Sequence, residues 1–504
     1  MTLSPDDWFQ KINAMFTSVT RPPWQDKMRR PASEGSGAFF TRYTTPRNRF
    51  LDMLWSYNVG DPPLPQIEEA YRDVFRHVMR KARSNYAPMC LSAMSDRMEL
   101  QAISTLADDD TNGDDIAAQI MDETGFVAQF KELQDFAFSM GESYGMAVPK
   151  GGGVALKNGQ PCPSVHAIDP RRCIGIPDLT NPTRLRAAVV KQYDPITDEQ
   201  TAFLFLPGRK YTYRHGSGGW TFDADVEVEA ITGLDELGGI PIVRFDNLHG
   251  MGEYEPHIDL LDRINDTTLQ RIIGFWYQAL RQRGLFGDDD EDDEDDDDDL
   301  DGSEGRRIDP ENDLKAGPGA LWRFPADFKM WESAQTDLGQ FINAKRDDVK
   351  EFAAVTSTPL HLITPDAANG SAEGAGLMRE SLTSKVRDRR TRFTPQLKLL
   401  WRMAFAMAGE TDRGTGMRLN WGPIEFRTLA EQASASSQAV GTLSLEDRCE
   451  RIWQMSPEET DRNVDRMTAD ALLGLPTTPG QTAPAQTPPA EQQPSSGPAV
   501  DNTN

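Results

Sequence analysis

Apolar residues recur every three or four positions over several long stretches, and that spacing predicts helices there. The first opens at Ser4-Pro5-Asp6-Asp7, with a hydroxyl at the N-cap, proline at the first helical position and acids in the first turn. Pro65 to Arg83 places Ile67, Ala70, Tyr71, Val74 and Val78 on one face, and Ser84 to Leu106 also has a helical pattern. After a turn cluster at Asp108 to Gly113, Ile116 to Met140 resumes the period through Phe130, Leu133, Phe136 and Phe138. From Tyr144 the pattern shortens. Met146 to Pro149, Ser164 to Ile168, Leu185 to Tyr193, Thr201 to Leu206, Lys210 to His215, Trp220 to Ile231 and Ile240 to Phe245 are short β-branched or aromatic runs, which predicts a β-rich block.

Helical spacing then returns on a larger scale. Gly252 to Arg283 reads as one long helix with Leu261, Ile264, Thr268, Ile272, Phe275 and Ala279 on a stripe, and Ser333 to Ala354 as a second through Leu338, Phe341, Ile342, Val349 and Phe352. Between Thr356 and Gly376, Pro359, Pro365, Asn369-Gly370, Gly374 and Gly376 exclude a continuous helix. Leu377 to Ala408 is a very long helical stretch, marked by Leu382, Val386, Phe393, Leu397, Leu400, Trp401 and Phe405, with a kink expected at Pro395. A short segment at Leu419 to Phe426 precedes two or three smaller helices in Leu429 to Leu473. Leu475 to Asn504 carries 7 prolines and almost no large apolar residue, the composition of a disordered tail. The expected fold class is α+β, mainly helical.

Charge changes this picture. The net charge of −26 disfavours a protein that grips nucleic acid through a broad basic surface. Half of it lies in Asp288 to Asp301, where 13 of 14 residues are acidic, repel one another and offer nothing to bury; this run is expected to be disordered. Cys90, Cys162, Cys173 and Cys449 form no CxxC and are too sparse for a disulfide scaffold, so free thiols are expected. The N-terminus has no basic and apolar leader pattern, and no run of about 18 apolar residues suggests a membrane span.

Candidate chemistry is thin. Gly141-Glu142-Ser143-Tyr144-Gly145 matches GxSxG, but a nucleophile elbow needs a strand before and a helix after, and here the order is reversed. It reads as a helix C-terminal turn. Asp108 to Gly113 and Asp297 to Gly302 imitate the start of a calcium loop, yet Gln119 and Ile308 stand where a bidentate Glu belongs. Gly151-Gly152-Gly153 is not followed by Gly-Lys-Ser/Thr, so no Walker A loop exists, and the six histidines show no metal-ligand spacing. No cofactor, metal or catalytic residue is implied. Arg379, Lys385, Arg387, Arg389, Arg390 and Arg392 cluster on the very long helix, either as a salt-bridged solvent face or as contacts to phosphate or an acidic neighbour.

The order of segments carries the most specific signal. Tyr57-Asn-Val-Gly-Asp61 with Pro63 and Leu64, Gly239 to Asn247 leading into Asp259-Leu-Leu-Asp-Arg-Ile-Asn265, Thr358-Pro359, Gly370 to Gly374 and Leu377 to Lys385 resemble segments of one family. Over residues 36–430 the chain resembles the portal (head-to-tail connector) proteins of tailed double-stranded DNA bacteriophages, particularly the type found in phages of actinobacteria.

The resemblance implies an N-terminal segment (1–35), a wing that is α then β-rich (36–251), a stem helix (252–284) and a clip (285–332) holding the acidic insert 288–301. A second stem helix (333–355), a tunnel loop (356–376), a long helix with the wing return (377–427), a crown (428–474) and the tail (475–504) complete it. It implies a non-enzymatic ring of about 12 subunits at a unique capsid vertex, assembled in the host cytoplasm and kept in the virion. Its partners would be the terminase large subunit, the major capsid and scaffold proteins, a head-tail adaptor and the DNA that passes through, with no membrane. Leu261, Ile264, Ile272, Phe275, Trp276, Leu338, Phe341 and Ile342 would pack subunits in the stem. Thr356, Ser357, Thr358, Pro359, His361, Thr364, Asn369, Gly370 and Ser371 would form the tunnel loop; Lys385, Arg387, Arg389 and Arg390 would meet phosphate or an acidic neighbour. The alternative is another structural oligomer of the phage head, a scaffold or adaptor, which the β-rich block argues against; a serine hydrolase on Ser143 ranks third.

Overall fold

The computed structural model describes residues 3–21, 41–65, 78–105, 107, 113–149, 153–279, 283–286, 321–324, 337–364, 372–425 and 427–473. They belong to two units, Met1–Phe426 and Arg427–Asn504. In chain order the first unit contains α1 (Pro5–Thr17), α2 (Arg47–Asn58), α3 (Ala87–Ser95), β1 (Leu100–Ser104), α4 (Asp115–Thr124) and α5 (Phe126–Met140). The β-rich block follows as β2 (Glu142–Val148), β3 (Ser164–Ile168), β4 (Cys173–Pro177), β5 (Leu185–Asp194), β6 (Glu199–Leu206), β7 (Arg209–Gly216), β8 (Gly219–Phe222), β9 (Glu229–Ala230) and β10 (Ile242–Asp246). Then come α6 (Ile258–Ala279), β11 (Arg283–Phe286), β12 (Leu321–Phe324), α7 (Leu338–Val355), α8 (Leu360–Ile363), α9 (Ala372–Met407) and β13 (Arg418–Trp421). The class is α+β.

The start of α1 follows its sequence signal. The Ser4 hydroxyl accepts from the Asp7 amide at 3.1 Å while the Asp7 carboxylate accepts from the Ser4 amide, a reciprocal capping box with Pro5 at the first turn. This helix lies on the antiparallel sheet β4-β5-β6-β7-β8, with β9 added to β7. Because strand side chains alternate between faces, Ile174, Val189, Leu204 and Tyr213 point to Phe9, Ile12 and Phe16 of α1. Cys173, Ala188 and Phe205 point the other way, against Ile240 and against Tyr144 and Ile242 of the three-stranded sheet β10-β2-β3. Phe9 stacks on Tyr213 with centroids 3.8 Å apart, and the Tyr213 hydroxyl donates to Asp6 at 2.8 Å. The sheet is thus covered on both faces.

The main core joins α2 to α5, the three-stranded sheet and α9. Val386, Phe393, Leu397, Leu400, Trp401 and Phe405 of α9 are buried at helical spacing. Phe393 meets Phe138 and Phe245, each at 5.4 Å, and Trp401 meets Phe126 edge-on at 4.9 Å. The helix runs past Pro395, whose ring lies on its exposed side, where solvent can reach the carbonyl left without a partner.

Several boundaries differ from the periodic reading. The Ser84–Leu106 pattern is a helix only to Ser95; Leu100–Ser104 is instead β1, paired antiparallel with β13, because its backbone partners lie some 300 residues away, beyond the reach of local periodicity. Gly125, at φ 58°, divides Ile116–Met140 into α4 and α5. Gly252–Arg283 is not one helix either: α6 begins at Ile258 and Arg283 opens a strand. At the far end of the Gly/Pro segment, Ala372 to Gly376 already belong to α9. The expected helix Pro65–Arg83 lies mostly outside the described residues, as do the acidic run and the proline-rich tail. Flanking the acidic run, β11 and β12 pair in parallel, Arg283 opposite Leu321 and Phe286 opposite Phe324. All four cysteines are free and buried, and burial pushes the Cys90 thiol up to about 12.

The second unit contains α10 (Leu429–Gln438), α11 (Leu445–Arg451) and α12 (Pro457–Leu472). Thr428 with Glu431 and Ser456 with Glu459 form capping boxes, and Trp453 Nε1 donates to Ser436 Oγ at 3.0 Å. Its interior is small: Cys449 is buried, while Leu429, Leu472 and Leu473 are largely exposed.

Two features of the first unit yield measurable expectations. A Cβ on Gly252 would stand 2.2 Å from the Ser139 carbonyl oxygen, a backbone atom that cannot swing aside. Gly252→Ala is therefore expected to cost about 1–3 kcal/mol in denaturant unfolding, and an unchanged midpoint would refute the close approach. Glu142 is buried between Arg47 (2.6 Å) and Arg244 (3.0 Å). Burial pushes its carboxyl up, but the two guanidiniums overcome this and hold it at about 2. Its contribution is then full above the unfolded value of about 4.3 and is lost as pH falls toward the folded one. Glu142→Gln leaves the buried Arg47 without its carboxylate and Arg244 with Asp246 alone, and should cost about 3–5 kcal/mol at pH 7. The gap to wild type should narrow as pH falls from about 4.3 to about 2, and a gap independent of pH would refute the linkage.

Candidate functional site

The helices α6 and α7 pack antiparallel. Arg263 near the start of α6 pairs with Asp348 at 3.0 Å and with Glu351 near the end of α7, and Thr267 donates to Asp348 at 3.4 Å. At the other end Gly274 faces Leu338, and a Cβ there would stand 3.1 Å from the leucine methyl. Glycine lets the two backbones approach.

Burial fades along this hairpin. Leu261 and Ile264 are buried in the core of their own protomer, and so are Val349 and Phe352. Ile272 packs on Val78, Met79, Ala82 and Leu269. Leu338 and Phe341 are half-buried, and Phe275 (49% exposed), Trp276 (40%) and Ile342 (36%) lie at the surface. Of the α6 stripe read from the sequence, Leu261 to Ile272 is therefore internal packing and only the distal part from Phe275 is open.

The turn that launches α6 is fastened on three sides. Asn247 donates its amide to Gly141 O at 2.9 Å, and the Glu253 amide donates to Phe138 O at 2.7 Å, which ties the turn to the end of α5. Glu255 accepts two bonds from Arg42, at 2.9 and 2.6 Å, and one from the Gly252 amide at 2.9 Å. The Tyr254 hydroxyl, fully buried, donates to Leu54 O at 2.6 Å. Glu253 accepts from Lys385 Nζ at 2.8 Å and from Arg389 Nε at 2.7 Å on α9. Lys385 donates as well to Thr356 O at 2.8 Å, just past the end of α7. Burial pushes the Glu253 carboxyl up; Lys385 and Arg389 outweigh it and hold the group below its ordinary range.

This accounts for most of the basic cluster. Lys385 and Arg389 serve Glu253 of the same chain. Arg390 donates to the Arg97 carbonyl and, at 2.7 Å, to Gly422 O, and lies over Trp421 at 5.3 Å from the ring. Burial pulls its guanidinium down to about 10. Arg387 is exposed, and Arg392 pairs with Asp388 at 2.8 Å.

In the Gly/Pro segment, Thr356 and Thr358 turn inward, with their hydroxyls 2.9 Å apart. Ser357 adopts φ 55°, Pro359 is buried, and Leu360–Ile363 forms the single turn α8 with Ile363 buried. His361 and Leu362 face outward and Thr364 is half-buried, whereas Asn369, Gly370 and Ser371 lie outside the described residues. Glu253, Glu255 and Arg42 have no periodic signal in the sequence, since their partners lie on remote elements.

Ser143 is the second residue of β2, opposite Phe245, with its side chain fully buried and without a hydrogen-bond partner, and Gly141 at φ 89° caps α5. A strand interior gives this serine no route to a substrate. Among the described residues no group of His, Cys, Asp and Glu side chains could hold a metal ion, and no helix is long and apolar enough to cross a membrane.

Among solved structures, the neck of a native GTA particle, computed with C12 symmetry, is 14% identical, with 82% of this chain and 94% of that chain covered and a TM-score of 0.33. No curated protein matches the chain. The family described as phage portal protein, SPP1 Gp6-like, matches residues 65–471. That span includes the hairpin, its anchoring turn and α9, and the chain therefore belongs to the SPP1 Gp6-like family of phage portal proteins.

Proposed function

We propose that the chain closes into a ring of about twelve copies at a single capsid vertex, conducts the genome during packaging and ejection, and docks the terminase large subunit and later a head-tail adaptor. The observation that carries this reading is the family match over residues 65–471. Physical chemistry supports it. The distal hairpin exposes Phe275 and Ile342, apolar surface that a neighbouring copy would remove from water. A conduit must also not hold its cargo, and a chain with a net charge of −26 repels phosphates instead of trading counterions for them. Packaging then depends on a separate ATPase, since the chain carries no Walker A sequence.

Within this reading the α6–α7 hairpin forms the stem, the segment 356–376 borders the channel through its outward side at His361 and beyond, and the second unit forms the crown. Capsid and scaffold proteins would contact the outer surface. The acidic run, placed at the clip, would steer a basic partner through an interaction screened over about 8 Å at physiological salt.

Purified protein is expected to form rings with a central hole, seen in negative stain and weighed by light scattering; a monomer at all concentrations and salts would overturn the proposal. Deleting residues 367–371 should leave those rings intact and reduce DNA packaged per particle. Normal packaging by the deletion variant would remove the loop from the mechanism.

A further inference from the structure

The hairpin carries two charged faces that are largely without ion-pair partners among the described residues. Between α6, α7 and α8 lies a cavity of about 320 Å³ that collects Arg271, Lys345, Arg346 and Lys350, and among the described residues no acidic side chain lines it. Lys350 pairs with Asp347 at 3.0 Å, outside the cavity lining. Lys345 donates to Ser84 Oγ at 3.0 Å, and burial together with Arg271 pulls its ammonium below the ordinary lysine range. Arg271 and Arg346 make no ion pair among the described residues. In a chain with 26 excess negative charges, four cations lining one cavity, of which only Lys350 has an acid paired among the described residues, is a local imbalance of unusual sign.

The second face belongs to α6 itself. Asp259, Asp262 and Asp266 fall within about 60° of one another at the helical advance of about 100° per residue, and their centre lies about 145° around the helix from Arg271. No Lys or Arg pairs with any of the three among the described residues; Asp262 accepts from the Tyr57 hydroxyl at 2.5 Å. Burial pushes the carboxyls of Asp262 and Asp266 up, and the neighbouring aspartates add to this at Asp262. Asp266 and Arg271 are separated by only about 8 Å along the helix axis, five residues at about 1.5 Å each. Asp259 lies about 18 Å from Arg271 along the axis, so the acidic face extends from near the level of the basic one toward the start of α6, on a different side of the hairpin.

We propose that the acidic face of α6 in one copy, Asp259, Asp262 and Asp266, docks into the basic cavity formed by Arg271, Lys345 and Arg346 of the next copy. This inference rests on the ring reading above. Two different faces that complement each other make a head-to-tail contact, the type that closes into a ring instead of stopping at a dimer. Each copy then gives three carboxylates and receives three on its cations, so both imbalances are relieved at every joint. Phosphate of the passing DNA is the competing occupant. The uniform contact between identical chains is favoured because each copy carries one acidic and one basic face of opposite charge.

Charge reversal separates the outcomes. One variant carries Arg271→Glu and Arg346→Glu, the other Asp259→Lys and Asp266→Lys; among the described residues none of these four side chains has an ion pair to orphan. Each variant alone is expected to raise the protein concentration at half-assembly at least tenfold, since every joint then sets like charges together. An equal mixture should assemble near the wild-type concentration, because alternating copies restore opposite charges at each joint, and native mass spectrometry should find even-numbered rings. Normal assembly of either variant alone, or a mixture no better than its components, would overturn the inference. Wild-type rings with a cavity variant that assembles normally but retains less DNA would assign the cavity to phosphate. Wild-type protein without rings would overturn the ring reading and this inference together. If circular dichroism shows that a reversal variant fails to fold, the single neutral variants Arg346→Gln and Asp259→Asn take its place. Each should raise the midpoint about threefold, as expected for one exposed ion pair, and unchanged midpoints in both would count as refutation.

Discussion

One carboxylate holds together the elements that the rest of the structure depends on. Glu253 lies at the entrance to α6, receives Lys385 and Arg389 from α9, and through Lys385 is tied to the carbonyl that ends α7. A buried ion pair is a poor source of stability by itself, because removing two charges from water costs nearly what their attraction returns. Its value here is geometric. Apolar packing tolerates sliding, whereas a carboxylate with two directional donors accepts one arrangement. Together with Glu255 on Arg42 it fixes where the hairpin leaves the body of the protomer.

Charge in this chain works at three levels. Inside, Glu142, Glu253 and Glu255 are each matched by arginine or lysine, and their partners come from segments distant in sequence. Along the hairpin, positive and negative faces are separated. Beyond the hairpin, β11 and β12 flank a run that is almost wholly acidic. Net charge alone would describe such a chain as uniformly acidic and miss the cations buried on Glu142, Glu253 and Glu255 and those gathered on one side of the hairpin.

Much of the local structure was legible in the sequence, for physical reasons that also mark the limit. Ser4-Pro5-Asp6-Asp7 started a helix because a cap is decided by neighbours three residues apart. The strands of the central block were visible because both faces of that sheet are covered, which demands apolar residues at successive positions. Leu100–Ser104 was misread as helix since its pairing partner is Arg418–Trp421, and no window of ten or twenty residues contains both. The stripe from Leu261 to Trp276 was legible as apolar but not as two environments, one internal and one open. Likewise Lys385 and Arg389 stood out as charges, while the residue that uses them lies over 130 positions earlier. The segment order conveyed the family, and family membership rests on the match over 65–471.

The parallel pairing of β11 with β12 has a consequence for how this chain can change. In a hairpin, turn length and strand register are coupled, so an added residue displaces the pairing. Parallel strands have no such coupling, for the connection must return from the end of one strand to the start of the other and any length above the minimum will serve. Arg283 can stay opposite Leu321 whatever happens between Phe286 and Leu321. The acidic run thus occupies a place where length and charge can drift freely, and a lineage could retune that end of the molecule to a new partner without disturbing the scaffold that carries it.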